Sequence, residues 1–219
     1  MMAQVISKIF SDKLTVVEVQ KVIDVCARLN INPNWLLAVM YFETARTLSP
    51  SKTNSIGSVG LIQFTRDKKG VEYKTINGVQ YSLASLGQMS FVQQMDVVEV
   101  YLKQVIKSVG KSLMSFDDTY FAVFFPNAIG KAENYIFQTS GLSASLIATQ
   151  NPAFDTDKNN QIVKSEVTAY FRKLYGQIFD TEINVLGMVK NAVEKISTFL
   201  VLPVSVFFYT FYTLNVVIN

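Results

Sequence analysis

The sequence predicts a mainly α protein with one small β-hairpin and an apolar helical tail at the C-terminus. Three observations carry that expectation. Apolar residues recur at helical spacing through most of the chain. Asn77-Gly78 separates two short strand-forming runs. From Ile196 to Asn219 no residue is charged.

The first helix is expected over residues 14–29, with Thr15 as its cap and Val19, Val22, Ile23, Cys26 and Leu29 on its apolar stripe. Asn32-Pro33 punctuates, and Pro33 suits the first turn of a second helix reaching from Asn34 to about Arg46. On it Leu36, Val39, Met40 and Phe42 form the apolar side, and Glu43 lies near the C-terminal end. A loop rich in Ser, Thr, Asn and Gly runs from Thr47 to Gly60, followed by the apolar segment Leu61 to Phe64. Between Glu72–Ile76 and Val79–Tyr81, Asn77-Gly78 is a two-residue hairpin signal. Helices are expected at 82–87, 90–108, 117–125, 131–138, 143–149 and 165–175. An amphipathic pattern covers 181–198, with Ile183, Leu186, Val189, Val193 and Ile196 at helical spacing. The uncharged stretch 199–218 follows.

Composition removes several chemistries. The chain of 219 residues has no histidine, which excludes Ser-His-Asp catalysis, His-ligated zinc and imidazole bases. Its single cysteine, Cys26, lies in an apolar helical stretch without an activating neighbour and reads as a buried thiol. Net charge is +3, from 20 basic and 17 acidic residues scattered along the chain, so no nucleic-acid partner is expected. Acid–base work falls to carboxylates.

Glu43 is the leading candidate. A glycosidase needs a carboxylic acid held protonated beside the scissile oxygen, and burial at an apolar helix end achieves this. Locally, a solvated glutamate on a helix face is the competing reading. Four ordered elements decide between them. The stretch from Trp35 to Thr44 is followed by the polar loop ending Gly57-Ser58-Val59-Gly60 and by Leu61-Ile62-Gln63-Phe64. The helix from Gln88 to Leu102 comes next, then Tyr120 to Lys131 with its Phe125-Pro126-Asn127-Ala128-Ile129-Gly130.

Together these resemble the lytic transglycosylase and goose-type lysozyme superfamily, in its phage-encoded form, over about residues 20–175. The resemblance implies a lysozyme-like helical domain that cleaves the MurNAc-GlcNAc bond of peptidoglycan. It implies Glu43 as general acid and then base, with Thr44, Gly60, Gln63, Tyr120 and Asn127 on the substrate side. Thr44 stands where the family usually has Ser. Phe125 to Ala128 replaces the family's Ala-Tyr-Asn-Ala-Gly, and Tyr120 also reads as a core aromatic.

A hydrolase needs a second acid. Asp67 and Glu72 are nearby but sit among lysines and read as loop charges. Without a second acid the substrate's N-acetyl group attacks the anomeric carbon, and the muramyl 6-hydroxyl closes an anhydro ring. A lytic transglycosylase is therefore expected ahead of a hydrolytic lysozyme. A catalytically silent glycan-binding protein of a virus particle is the alternative from a different class.

The segment from Asp155 to Glu166 fits an EF-hand loop. Asp155, Asp157, Asn159, Gln161 (through its carbonyl) and Glu166 fall at ligand positions 1, 3, 5, 7 and 12, with Asn160 in place of the loop glycine and Ile162 at the apolar position. A structural Ca²⁺ is expected, against an Asp/Asn-rich surface turn.

The expected organisation is a domain over 1–180, an amphipathic helix over 181–198 and a transmembrane segment over 199–218. Twenty uncharged residues at helical rise make about 30 Å, enough to cross a bilayer core. A buried or oligomer-forming segment is the other reading. The N-terminus lacks the pattern of a secretory signal, because Lys8, Asp12 and Lys13 interrupt it. A tail anchor without such a signal faces the cytoplasm, so presentation on a virus particle is the expected route to the wall. The expected partners are then glycan strands, a lipid membrane and virion structural proteins.

Overall fold

The computed structural model describes residues 6–176. The chain divides into two units, Met1–Leu174 and Tyr175–Asn219. The architecture below belongs to the first. The amphipathic helix expected at 181–198 and the apolar segment at 199–218 lie outside the described residues. Among the described residues no helix is long and apolar enough to cross a membrane.

The mainly α expectation holds, with one two-stranded antiparallel sheet. A short α1 (Lys8–Ser11) precedes α2 (Val16–Leu29). Thr15 caps α2 through a reciprocal pairing with Glu18, which satisfies two donors at the helix start. Asn30 closes it in the left-handed region at φ 55°. Asn32 caps α3 (Pro33–Glu43), with Pro33 in its first turn. This helix stops at Glu43, three residues before the expected end, because Ala45 and Arg46 turn to positive φ.

The hairpin forms where expected. Strands β1 (Tyr73–Ile76) and β2 (Val79–Ser82) pair Tyr73 with Ser82 and Ile76 with Val79. Asn77 and Gly78 both take positive φ, 47° and 80°, as a two-residue turn of matching twist requires. Ile76 is fully buried, and β1 packs on α5. Then come α4 (Leu83–Gln88), α5 (Phe91–Val109), α6 (Phe116–Phe124), a 3₁₀ turn (Pro126–Ala128), α7 (Ala144–Gln150) and α8, which in this unit covers residues 164–174. Ser82, Ser90, Ser115 and Ser143 cap α4 to α7 through their hydroxyls.

The helix expected at 131–138 does not form. Ile136 instead bridges to Val163, and Phe137 N–H donates to Ile162 O at 2.9 Å. Pairing with a distant segment overrides the local helical pattern.

The core lies between α2, α3, α5 and α6. Val22, Val25 and Cys26 of α2 face Met95, Val98 and Leu102 of α5, all fully buried. Burial pushes the Cys26 thiol up to about 12, so it is an inert part of this core. At the rim, Glu99 of α5 takes two bonds from Arg28 of α2, at 2.8 and 2.7 Å, and one from Lys103 at 2.6 Å.

The Arg28 hydrogen bonds, chiefly, hold Glu99 down at about 2, despite its burial. A carboxylate lowered on folding stabilises the fold above its ordinary pKa, and that stability is lost as pH falls through the lowered value. Urea midpoints should therefore drop between about pH 4.5 and about pH 2 in the parent. They should fall less over that range in Glu99→Gln.

Candidate active site

Glu43 is the last residue of α3, and its side chain keeps a partial opening to solvent. Among the described residues its carboxyl has no hydrogen bond and no ion pair. The protein packed around it pushes its pKa up to about 7, with desolvation as the cause. Behind it, Phe42 meets Phe171 at 4.9 Å, Tyr120 at 5.9 Å and Tyr170 at 6.3 Å between ring centres.

Two turns follow this carboxyl along the chain. The first follows it directly. Thr44 is fully buried; its hydroxyl donates to Met40 O at 2.7 Å and accepts from Leu48 N–H at 2.8 Å. Thr44 thus fastens the chain leaving α3, and its hydroxyl has no surface to offer a ligand. Ala45, Arg46 and Leu48 all take positive φ, 49°, 69° and 53°. Such conformations cost about 1–2 kcal/mol each for residues other than glycine.

The second turn carries Gly60 and Gln63. Gly60 N–H donates to Lys52 O at 2.8 Å, and Val59 and Phe64 exchange backbone bonds at 3.1 and 2.8 Å. Gln63 sits at φ 51°, and its amide donates to Lys52 O and Gly60 O, both at 3.0 Å. Its Oε1 is buried without a partner. The close approach that Gly60 permits is filled from within: at φ +89° a Cβ would stand 2.7 Å from Cδ of Gln94.

Other expected site residues are placed differently. Tyr120 is 2% exposed and packs 4.2 Å from Phe171 and 5.5 Å from Phe124, inside the aromatic core. Asn127 is exposed on the 3₁₀ turn. Asp67 accepts from Thr75 N–H at 3.0 Å and pairs with Lys74 at 3.3 Å, and the Thr75 and Lys74 contacts hold it below the usual carboxylate range. Glu72 pairs with Arg66 at 2.5 Å. Neither loop acid is left without a partner.

Two residues of this region carry no sequence signature as site residues. Tyr101 of α5 donates to Ala122 O at 3.1 Å and meets the Phe64 ring edge-on at 6.2 Å. Burial pushes its hydroxyl up to about 12, and the Glu43 charge adds to that rise, so the two groups share one environment. Gln94 of α5 is fully buried and accepts from Leu61 N–H at 2.6 Å. The one legible hint is their spacing of seven, which puts a lone polar residue and a tyrosine on the same face of α5.

The acidic loop forms a separate cluster. Carboxylate oxygens of Asp155, Asp157 and Glu166 lie within 4.8 Å of one another. Oxygens bound to one Ca²⁺ at 2.3–2.6 Å stand at most about 5 Å apart, so this spread can hold a hard cation. Asn160 takes the left-handed conformation at φ 63° in place of glycine, and Ile162 is fully buried. Asn159 Oδ1 accepts from Gln161 N–H at 2.9 Å within the same turn, and the Gln161 side chain is exposed. Burial acts to raise Glu166, but bonds from Val163 and Thr156 outweigh it and hold the carboxyl below its ordinary value.

No family model, curated protein or solved structure matches this chain.

Replacing Gly60 by Ala should destabilise the fold by about 2 kcal/mol or more, through positive φ and collision with Gln94. Urea denaturation measures this, and the hairpin glycine Gly78, with open space around its Cβ position, should lose less on the same change.

Proposed function

We propose that this chain cleaves the β-1,4 bond between MurNAc and GlcNAc of bacterial peptidoglycan as a lytic transglycosylase, with Glu43 as its single acid–base residue. The observation that carries this reading is the Glu43 carboxyl, largely desolvated, without a partner among the described residues, and raised to about 7. An acid tuned to that value is protonated often enough to donate at neutral pH and is basic enough to take the proton back.

The chemistry follows from one acid. Glu43 donates its proton to the glycosidic oxygen as the C–O bond breaks. The 2-acetamido oxygen of MurNAc closes on the anomeric carbon and forms an oxazolinium ion. Glu43, now a carboxylate, removes the proton of the muramyl 6-hydroxyl. That oxygen displaces the acetamido group and leaves a 1,6-anhydro end. No water is consumed and Glu43 ends protonated, ready for another cycle. The engagement of Asp67 by Thr75 and Lys74, and of Glu72 by Arg66, favours this route over hydrolysis. The ordered resemblance from Trp35 to Lys131 supports a lysozyme-like assignment.

The acidic loop is read as a structural Ca²⁺ site held by Asp155, Asp157, Asn159, the Gln161 carbonyl and Glu166. The uncharged segment 199–218 supports a membrane-anchored or virion-associated protein that reaches the wall from a particle, in contact with a lipid membrane and virion structural proteins.

On peptidoglycan, Glu43→Gln should lower turnover by about 10³-fold or more. Parent products should carry anhydro-muramyl ends in mass spectra; reducing ends would assign a lysozyme. Activity should fall as pH rises through about 7, as the acid loses its proton. Stability follows the same group. A carboxyl raised on folding costs stability as pH climbs from its unfolded value to its folded one. Glu43→Gln should therefore be more stable than the parent at pH 8, by about 2–3 kcal/mol. Equal activity in the mutant and the parent would remove Glu43 from the mechanism.

For the loop, Ca²⁺ at about 100 times its Kd should add about 2.7 kcal/mol to unfolding stability. Asp155→Asn with Glu166→Gln should abolish that gain, with calorimetry as the readout.

A further inference from the structure

Gln94 is the only polar residue facing the core from the stripe Phe91, Gln94, Met95 and Val98 of α5, and its side chain is fully buried. A buried amide without partners is strongly unfavourable, so its bonds reveal its task. Oε1 accepts from Leu61 N–H at 2.6 Å. Nε2 donates to Leu86 O at 2.7 Å and to Pro50 O at 2.9 Å. All three partners are backbone groups, and they lie on three separate segments. Two of them, Pro50 and Leu61, bracket the loop that leads to Gln63. Gly60 leaves the space this amide occupies. Inside the same turn, Gln63 holds φ 51° and bonds back to Lys52 and Gly60. A non-glycine residue stays in that conformation only where its surroundings over-determine it.

We propose that Gln94 is a positioning residue that locks the Gly60–Gln63 turn of the glycan-cleaving site in one fixed arrangement. This rests on the reading of Glu43 and Gln63 as the glycan-cleaving site. Gln94 itself touches no substrate. Its contribution is made through Leu61, one residue beyond Gly60.

The test uses the full chain with Gln94→Leu and Gln94→Glu. Leucine keeps the volume and removes every bond. Glutamic acid, when protonated, can still accept from Leu61 N–H and donate to one carbonyl; when ionised it turns a buried charge toward the oxygens of Leu86 and Pro50. In Gln94→Leu, kcat per folded molecule should fall at least about tenfold while KM stays within about twofold, as expected when geometry rather than uniform binding is lost. Amide exchange protection at Leu61, Gln63 and Phe64 should vanish while α2 and α3 stay protected. Gln94→Glu should recover protection and relative turnover toward low pH and lose both as pH rises.

Loss of protection spread evenly over α2, α3 and α5 would overturn the proposal, as would an unchanged kcat per folded molecule in an active parent. If Gln94→Leu does not fold, Gln94→Glu decides: equal protection at Leu61 across pH overturns it. Glu43→Gln separates the two readings. Full activity there removes the acid assignment, while the exchange pattern still decides whether Gln94 holds the turn.

Discussion

A helix that is apolar on every side cannot rest on a surface; it has to be wrapped. Leu36, Leu37, Ala38, Val39 and Met40 follow one another through α3, and all are essentially fully buried. Each large side chain among them contributes about 1.5–3 kcal/mol by leaving water. Helices α1, α2 and α6 supply the wrap. Glu43 is where that wrap ends. Its position in the chain makes it inherit the dry surroundings of the helix while still facing an opening. The burial of α3 is large enough to offset one unpartnered carboxyl at its tip, which no isolated surface helix could sustain.

Thr44, Gln63 and Gln94 all work on the backbone. Thr44 ties α3 to Leu48, Gln63 ties its own turn to Lys52, and Gln94 ties that turn to α5 and α4. Four non-glycine residues held at positive φ, Ala45, Arg46, Leu48 and Gln63, lie in these two turns. Strain persists only where the surroundings over-determine it, and it gathers where geometry matters more than stability. The residues that the sequence pattern nominates for the substrate side are in large part the scaffold that shapes it. Tyr120 makes the point most plainly, since Phe42, Phe116, Phe124, Phe154 and Phe171 surround its ring.

What was legible in advance was local. The cap at Thr15, the break at Asn32-Pro33 with its proline opening α3, and the Asn-Gly turn act within three or four residues, so their physics is written in adjacent letters. Glu43 is nominated by the ordered elements around it, because its helix end and apolar approach, which are local, equally suit a solvated glutamate. The segment 131–138 was misread because its helical pattern competes with pairing to Val163, and nothing in the segment announces that partner. Gln94 bonds to a residue 33 positions away and Tyr101 to one 21 positions away. Such contacts exist only after the helices pack, so a polar residue on an apolar stripe was the whole of the available signal.

The assignment of the acid rests finally on contrast. Asp67, Glu99 and Glu166 are held below their ordinary values by hydrogen bonds, joined by cations at Asp67 and Glu99, and those bonds favour the ionised form. Asp117 is raised by burial, yet Thr168, Arg172 and Lys164 pull the other way, so its charged form has support that Glu43 lacks among the described residues. Among the described residues Glu43 has neither cation nor donor, and desolvation acts on it unopposed. A fold that lowers Asp67, Glu99 and Glu166 and raises Glu43 has separated their protonation states by environment, which is the condition for acid chemistry near neutral pH. Asp67 and Glu72 are already paired with Lys74 and Arg66, which is why the proposed route takes its nucleophile from the substrate. In that proposal the muramyl acetamido group and 6-hydroxyl of a peptidoglycan strand supply it.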